Sequence, residues 1–201
     1  MFFPSSEIEV AAILSEAKEP LSVAGGNTRV LAPSGSKIIS TSKLSGVIDY
    51  EPGALTMIAK AGTPLSEIQK TLTSEGQCLA FDPYNWSRFI NKKGSSTIGG
   101  VFAANVSGSS RLRVGAARDF LLGIRLVDGL GNIIQNGGRV MKNVTGYDLV
   151  KLFAGSWGTL GILTEVSFKV LPKPETEATI LIHGLNDQLA LDAMILSLIH
   201  I

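Results

Sequence analysis

The order of apolar and polar residues predicts two helices in the first part of the chain. In residues 6–18 the apolar positions recur at helical spacing, between a Ser-x-x-Glu capping box and a proline. A second helical pattern follows Thr63-Pro64, which is typical of an N-cap and a proline at the first helical position. This second pattern ends at Gly76, a residue that commonly closes a helix.

Short apolar runs bounded by turn residues predict strands over much of the remaining chain. Two pairs of runs predict hairpins, one across Glu51-Pro52-Gly53-Ala54 and one across Gly129-Leu130-Gly131. A loop is expected over residues 111–119 and a helix over 147–154. The predicted strands are 21–24, 37–40, 47–50, 55–61, a strand through Cys78, 121–128, 132–135, 163–170 and 178–183. This mixture predicts an α+β fold.

One stretch, residues 95–108, is almost free of charge and consists mainly of small residues. A helix is expected to begin near Ser96, because Ser and Thr cap helix N-termini. Gly99-Gly100 would then lie in its first turn, where glycine weakens a helix. We interpret this conflict as close approach to a phosphate-bearing cofactor, with the N–H groups of the helix N-terminus offered to an anion.

The 22 glycines fall into short clusters, and three of these clusters suggest one ligand. Gly25-Gly26-Asn27-Thr28 follows a predicted strand, and its successive N–H groups are expected to form an anion nest. Each cluster alone is compatible with an ordinary glycine turn. The glycine clusters at 99–100 and 155–161 are two further cases in the same small chain. One extended ligand that touches several loops is therefore the more economical explanation for all three clusters. The sequence contains neither a P-loop nor a Rossmann fingerprint at the first cluster.

Charge and cysteine content exclude several classes of protein. The chain has 18 Lys+Arg and 17 Asp+Glu, so it lacks the basic excess of a nucleic-acid binder. Its one cysteine, Cys78, allows no internal disulfide and no thiolate metal cluster, so we expect no metal site and a reducing compartment. We expect Arg118-Asp119 to be a structural pair. No catalytic triad or carboxylate pair is evident, which favours a cofactor as the source of the chemistry.

The C-terminal part has a different organisation from the rest. Pro172-Lys173-Pro174 predicts a linker, and a strand over 178–183 and a helix capped at Asn186-Asp187 follow it. We expect a domain over residues 1–172, with lobes of about 1–80 and 81–172, and the beginning of an incomplete α+β substrate or cap domain over 173–201. The tail after residue 195 is apolar, and truncation and burial against a partner both remain open as explanations.

Taken together, these motifs resemble the FAD-binding domain of the PCMH-type, or vanillyl-alcohol oxidase, flavoprotein family. Two further runs, residues 114–123 and 138–152, resemble one subgroup, the FAD-binding subunits of bacterial glycolate oxidase. The resemblance spans about residues 5–175. The family motifs are Ala24-Gly25-Gly26-Asn27-Thr28, Ser96-Thr97-Ile98-Gly99-Gly100, Ala104-Asn105-Val106-Ser107-Gly108 and Gly155-Ser156-Trp157-Gly158-Thr159-Leu160-Gly161-Ile162.

The resemblance implies two lobes with FAD extended between them, and it implies a role for each motif. The first loop would hold the pyrophosphate, the second motif would approach the pyrophosphate and ribityl chain, the third would lie near the flavin ring, and the last would meet the adenine. The loop lacks the His of members with covalent flavin, so we predict non-covalent FAD. The implied cofactor residues are Gly25, Gly26, Asn27, Thr28, Asp82, Pro83, Thr97, Gly99, Gly100, Ala104, Asn105, Gly108, Gly161 and Ile162.

The resemblance further implies an FAD-dependent oxidoreductase that acts on a 2-hydroxy acid, with hydride passing from substrate C2 to flavin N5. Arg111, Arg113 and Arg118 are the candidates for binding the substrate carboxylate. A sister flavoprotein and an iron–sulfur subunit are the implied partners. We expect a cytoplasmic protein, with any association with the inner membrane made through these partners. The alternative is a non-catalytic FAD-binding or assembly subunit of such a complex.

Overall fold

The computed structural model of the chain describes residues 1–28, 35–86, 94–139 and 146–199. The central part of the run 138–152, which carries part of the subgroup resemblance, lies outside these residues. The helices are α1 (Glu7–Ser15), α2 (Leu65–Ser74), α3 (Ile98–Ala103), α4 (Arg111–Val114), α5 (Ala117–Phe120), α6 (Leu149–Phe153) and α7 (Asp187–Ile199). The strands are β1 (Leu21–Ala24), β2 (Lys37–Ser40), β3 (Val47–Glu51), β4 (Thr56–Lys60), β5 (Gln77–Cys78), β6 (Leu121–Asp128), β7 (Ile133–Gly137), β8 (Gly161–Lys169) and β9 (Leu171–Pro172).

A five-stranded antiparallel sheet forms the centre of the molecule, in the order β3-β4-β8-β6-β7. Both hairpins predicted from the sequence are present, and β8 joins them by pairing with β4 on one side and β6 on the other. The sheet therefore takes strands from both sides of the lobe boundary expected near residue 80. The division into domains over 1–172 and 173–201 stays a prediction.

The main hydrophobic core lies between this sheet and the helices α2, α3, α5 and α6. Three phenylalanines connect its layers, because Phe102 of α3 packs against Phe81 at 5.8 Å and against Phe168 of β8 at 5.4 Å between ring centroids. All three rings are fully buried. The core thus fixes α3 against the middle of the sheet.

A smaller layer at one end consists of α1 and the parallel pair β1–β2. Its core joins Val10 and Ile39 to Val127 and Ile162 of the large sheet. The carboxylate of Glu7 also accepts hydrogen bonds from Arg125 and, at 2.6 Å, from Thr164. This layer brings the end of β1 close to the start of β8.

The structure corrects three local predictions. Residues 111–119 contain the short helices α4 and α5 rather than an open loop. Thr63 does not cap α2, because its hydroxyl donates to the carbonyl of Lys60 at 2.7 Å and Pro64 occupies the N-cap. No strand forms over residues 178–183, which are exposed and have no strand to pair with in the part of the chain that the structure describes. Among the described residues, no helix is long and apolar enough to cross a bilayer.

Candidate functional site

A cleft of about 390 Å³ lies between the loop after β1, the beginning of α3 and the loop before β8. The core and the small layer position these three segments, so residues distant in sequence share one cavity. Ten residues that the sequence predicted as cofactor-binding line it: Gly25, Gly26, Asn27, Thr28, Thr97, Gly99, Gly100, Ala104, Gly161 and Ile162.

Four other predicted residues, Asp82, Pro83, Asn105 and Gly108, do not line this cleft. They belong to two segments, 82–83 and 105–108, which meet where Gly108 packs against Asp82. The amide of Gly108 donates to the carbonyl of Phe81 at 2.9 Å, and a Cβ at Gly108 would lie 2.3 Å from the carbonyl oxygen of Asp82. The Oδ1 atom of Asn105 accepts from the backbone N–H of Arg118 at 2.9 Å. These contacts are structural, and a cofactor role for the four residues stays a prediction.

The first wall of the cleft, residues 25–28, offers hydrogen-bond donors. Within the described chain, none of its four backbone N–H groups has a protein acceptor. Asn27 adopts the left-handed conformation with φ 53°, which suits a concave loop whose amides converge. The hydroxyl of Thr28 lies 3.1 Å from that of Ser96 and ties this wall to the segment before α3. The loop therefore leaves its backbone donors available to an anion, and the anion nest stays a prediction.

The second wall, at the beginning of α3, differs from the prediction. The amides of Ile98 and Gly99 donate to the carbonyls of Thr63 at 2.9 Å and Ala61 at 2.8 Å. The amide of Gly100 points to the hydroxyl of the N-cap residue, Thr97, at 3.3 Å. The expectation that this helix terminus offers free N–H groups to an anion is therefore wrong, because the protein itself uses them.

The glycines of the two walls serve different contacts. A Cβ at Gly26 would lie 1.7 Å from the carbonyl oxygen of Ser95, and a Cβ at Gly99 would lie 2.5 Å from the Cβ of Ala61. These two glycines allow backbone segments to pack together. Gly100 is exposed, lines the cleft and would bring its Cβ near only one group, the Thr97 hydroxyl at 3.1 Å. A side chain at Gly100 would therefore take space from the cleft.

The third wall is the loop before β8, which is fixed to the end of α3. The amides of Gly155 and Trp157 donate to the carbonyls of Phe102 at 3.2 Å and Ala103 at 2.9 Å. The pairing of β8 with β4 begins at Glu165. One further hydrogen bond runs from the Ala61 N–H to the Thr164 carbonyl. On that side, no described strand covers β8 at residues 161–163, so this backbone edge borders the cleft.

Sequence reasoning did not assign several residues of the cleft. Val23, Tyr84 and Trp157 line it, and each is between 38% and 51% exposed. Trp157 lies within the motif of residues 155–162, and its position between two glycines was the sequence feature that could have identified it as a cleft residue. Among the described residues, none that lines the cleft is Asp, Glu, Lys, Arg or His. In this part of the cleft, negative charge would therefore meet backbone amide dipoles.

The three candidate arginines, Arg111, Arg113 and Arg118, are exposed on α4 and α5 and do not line the cleft. Arg118 forms no ion pair with Asp119, contrary to the expected structural pair, because the Asp119 carboxylate instead accepts from the amide of Ala116 at 2.8 Å. Burial raises the pKa of the Cys78 thiol, so this thiol is poorly suited to act as a nucleophile. The described residues contain no group of three or more metal-binding side chains.

Comparison with known families defines the class of this protein. The FAD binding domain family matches residues 1–137, and the chain belongs to that family. The resemblance inferred from the motifs, the PCMH-type fold and the FAD cofactor are thereby confirmed. The cleft fits this cofactor, because amides without an acceptor in the described chain lie at the first wall and an open strand edge lies at the third.

The similar proteins act on 2-hydroxy acids, as their names state. The chain is 38% identical to glycolate oxidase subunit GlcE of Escherichia coli, over 81% of this chain and 45% of that protein. It is 32% identical to glycolate oxidase subunit GlcD of Bacillus subtilis, over 89% and 38%. It is 33% identical to bovine mitochondrial D-2-hydroxyglutarate dehydrogenase, over 86% and 32%. The chain thus spans less than half the length of each relative.

A solved structure of alkyldihydroxyacetonephosphate synthase shares the fold. The TM-score is 0.67 at 23% sequence identity, and the match covers 87% of this chain and 32% of that one. This likeness supports the architecture alone.

Proposed function

We propose that this chain is the FAD-binding part of a flavin-dependent 2-hydroxy-acid oxidoreductase of the glycolate type. The observation that carries the proposal is the nest of unpaired amides at residues 25–28, placed within a cleft of the FAD binding domain family. The names of the relatives supply the substrate class. Bound in this cleft, FAD would supply the acceptor, its N5 atom, for a hydride from C2 of the substrate.

The residues of the chain bind and orient the cofactor in this proposal. The amides of residues 25–28 donate to the pyrophosphate, and the Thr28–Ser96 contact keeps the first two walls at a fixed separation. Gly100 leaves room for the ribityl chain. No described residue that lines the cleft is His or Cys, which supports non-covalent FAD. Val101 and Val106 help to exclude water because they line the cleft and are almost fully buried.

Substrate and partner contacts extend the proposal beyond the cleft. Arg111, Arg113 and Arg118 are exposed cations that would attract the substrate carboxylate. A sister flavoprotein and an iron–sulfur subunit would receive the electrons, in line with the two glycolate oxidase subunits among the relatives. A cytoplasmic location belongs to the same proposal.

The purified full chain tests this function directly. We expect it to be yellow, and we expect anaerobic glycolate or D-lactate to bleach the flavin absorbance. Acetate and propionate, which have the same carboxylate but no C2 hydroxyl, are the matched controls and should leave the spectrum unchanged. After acid precipitation the colour should stay in solution, and colour in the pellet would contradict non-covalent binding.

A non-catalytic FAD-binding subunit is the second candidate. It is favoured by one observation, that no described residue with an acidic, basic or histidine side chain lines the cleft to assist in catalysis. Yellow protein that no 2-hydroxy acid bleaches, alone or with the sister subunit added, would support this candidate. Colourless protein that takes up no added FAD would contradict both.

A further inference from the structure

Trp157 has an unusual backbone conformation for a large side chain. Its φ is 56°, in the left-handed region, where a bulky residue is disfavoured by roughly 1–2 kcal/mol. Gly155 and Gly158, on either side of it, also have positive φ, at 93° and 77°. Glycine would suit all three positions. The loop carries a tryptophan at one of them, and its indole ring lines the cleft with 51% of its surface exposed.

The Trp157 side chain is about half covered by the protein but has no polar or aromatic partner among the described residues. In the part of the chain that the structure describes, the indole N–H of Trp157 has no hydrogen-bond acceptor and its ring has no aromatic partner. Tyr84, the other aromatic residue of the cleft, differs because it packs edge-on against Trp86 at 6.0 Å. Trp157 therefore presents a broad apolar face to the cleft, which a planar ligand can cover.

Trp157 lines the cleft together with Val23 and the start of β8. Its amide bond to the Ala103 carbonyl fixes its backbone on the end of α3. The next residue, Gly158, packs against Val23, because a Cβ at that position would lie 3.3 Å from the Val23 side chain. Val23 itself lines the cleft and is 38% exposed. The uncovered backbone edge of β8 at residues 161–163 belongs to the same wall.

We propose that Trp157 is the surface on which the adenine ring of FAD stacks. This inference rests on the FAD cleft used in the proposed function. Adenine is flat and apolar on its faces, and its edge carries one amino donor beside ring-nitrogen acceptors. The face of a tryptophan ring can stack on the apolar face of adenine. An uncovered strand edge, which has both N–H and C=O groups, can form hydrogen bonds with the polar edge of adenine. The wall that contains Trp157 offers both.

The affinity of the flavin-free full chain for FAD and for FMN tests the proposal, since FMN lacks the adenylate half. Trp157→Ala should weaken FAD binding by on the order of tenfold, the usual effect of losing one base-stacking ring. FMN binding should be unchanged. Trp157→Phe keeps an aromatic face and should retain most of the FAD affinity. Trp86→Phe, which is outside the cleft and keeps an aromatic ring beside Tyr84, is the matched control and should bind both ligands normally.

Fluorescence provides a second measurement that does not depend on turnover. The chain has two tryptophans, so Trp86→Phe leaves Trp157 as the sole reporter. ADP should quench its emission, whereas inorganic pyrophosphate, which reaches only the first loop, should not. Unchanged FAD affinity in Trp157→Ala, or an equal loss of FMN affinity, would overturn the adenine assignment.

These outcomes are separate from the fate of the proposed function. FAD affinity and quenching by ADP are measured without substrate, so a protein that fails to oxidise any 2-hydroxy acid still tests the stacking. A wild-type chain that binds neither FAD nor ADP would overturn the stacking and the cofactor site together.

Discussion

The first two walls of the cleft have similar sequences and opposite properties. Each contains a Gly-Gly pair next to a threonine, Gly25-Gly26 before Thr28 and Gly99-Gly100 after Thr97. At residues 25–28 the backbone amides are unpaired in the described chain. At the start of α3 the corresponding amides donate to Thr63, Ala61 and Thr97. The first wall can therefore donate hydrogen bonds to a negatively charged ligand, whereas the second wall limits the space that the ligand can occupy.

This difference shows that a glycine pair alone does not define a phosphate site. A backbone N–H binds a ligand only if no protein acceptor already satisfies it. The α3 terminus is fixed by its own hydrogen bonds and is therefore a rigid surface. The loop at residues 25–28 is bound at its end through Thr28, and its polar groups remain for the cofactor.

The largest effect is expected from Gly26→Ala. The new Cβ would meet the Ser95 carbonyl oxygen at 1.7 Å, so the loop must move away from the second wall. We expect the free energy of unfolding to fall by about 1–3 kcal/mol, and FAD binding to be lost with the loop position. Urea unfolding and FAD titration measure the two effects. Gly53→Ala, where the added Cβ meets open space, is the matched control.

Gly100→Val should separate binding from folding. The valine side chain would project into the cleft, where its Cβ meets only the Thr97 hydroxyl. We expect FAD affinity to fall by about tenfold or more, with stability changed by less than about 1 kcal/mol, because the contact with the Thr97 hydroxyl opposes the higher helix propensity of valine over glycine. Equilibrium dialysis and thermal melting check this pair of values. If the variant retains its flavin, the second wall does not contact the cofactor at this point.

Thr28→Val should have a moderate effect, because it removes the hydroxyl that meets Ser96 across the two walls. The expected loss of stability is about 1 kcal/mol, typical of a hydrogen bond with one partner left unsatisfied. Ser96→Ala should cost a similar amount. The double variant should cost less than the sum, since both changes remove one interaction. Fully additive losses would show that the two hydroxyls do not stabilise each other.

The smallest effect is expected from Glu165→Gln, outside the cleft. Glu165 lines a separate cavity with Arg125 and Ser167, and burial raises the pKa of its carboxyl more than the Arg125 guanidinium lowers it. A raised carboxyl pKa favours the folded state at low pH, and this advantage is lost as pH rises through the folded pKa. The variant should therefore gain stability over the wild type at pH 7 and lose that gain near pH 4.

Thermal melts at the two pH values measure this difference. FAD affinity should be the same in both proteins at pH 7, because Glu165 does not line the cleft. A gain in stability that is equal at both pH values would contradict the role of burial.

Most helices and both hairpins could be predicted from local sequence patterns, because the capping residues, turn residues and apolar spacing that determine them lie within each segment. The turn at Pro52–Ala54 and the N-cap at Thr97 are examples in which one or two residues decide the structure. The use of the α3 amides could not be predicted in this way. Their acceptors, Ala61 and Thr63, are more than thirty positions earlier in the sequence and reach α3 only through the tertiary fold.

The site residues could be predicted where a short motif determines the local backbone conformation by itself. The loop at residues 25–28 needs only its own residues to form a nest, and ten of the predicted cofactor residues do share one cleft. Trp157 was not predicted as a site residue, because its left-handed backbone depends on the docking of its loop on α3. The predicted strand over 178–183 is absent because a strand requires a partner as well as apolar residues.

The central position of β8 has a consequence for the order of folding. The β3–β4 and β6–β7 hairpins are local and can form early, whereas Met57 pairs with Phe168 across more than a hundred residues of chain. During synthesis the apolar faces of the two hairpins would therefore stay exposed until β8 leaves the ribosome and pairs with β4 and β6. We expect the chain to need chaperone protection in this interval, and we expect flavin uptake to follow the arrival of β8.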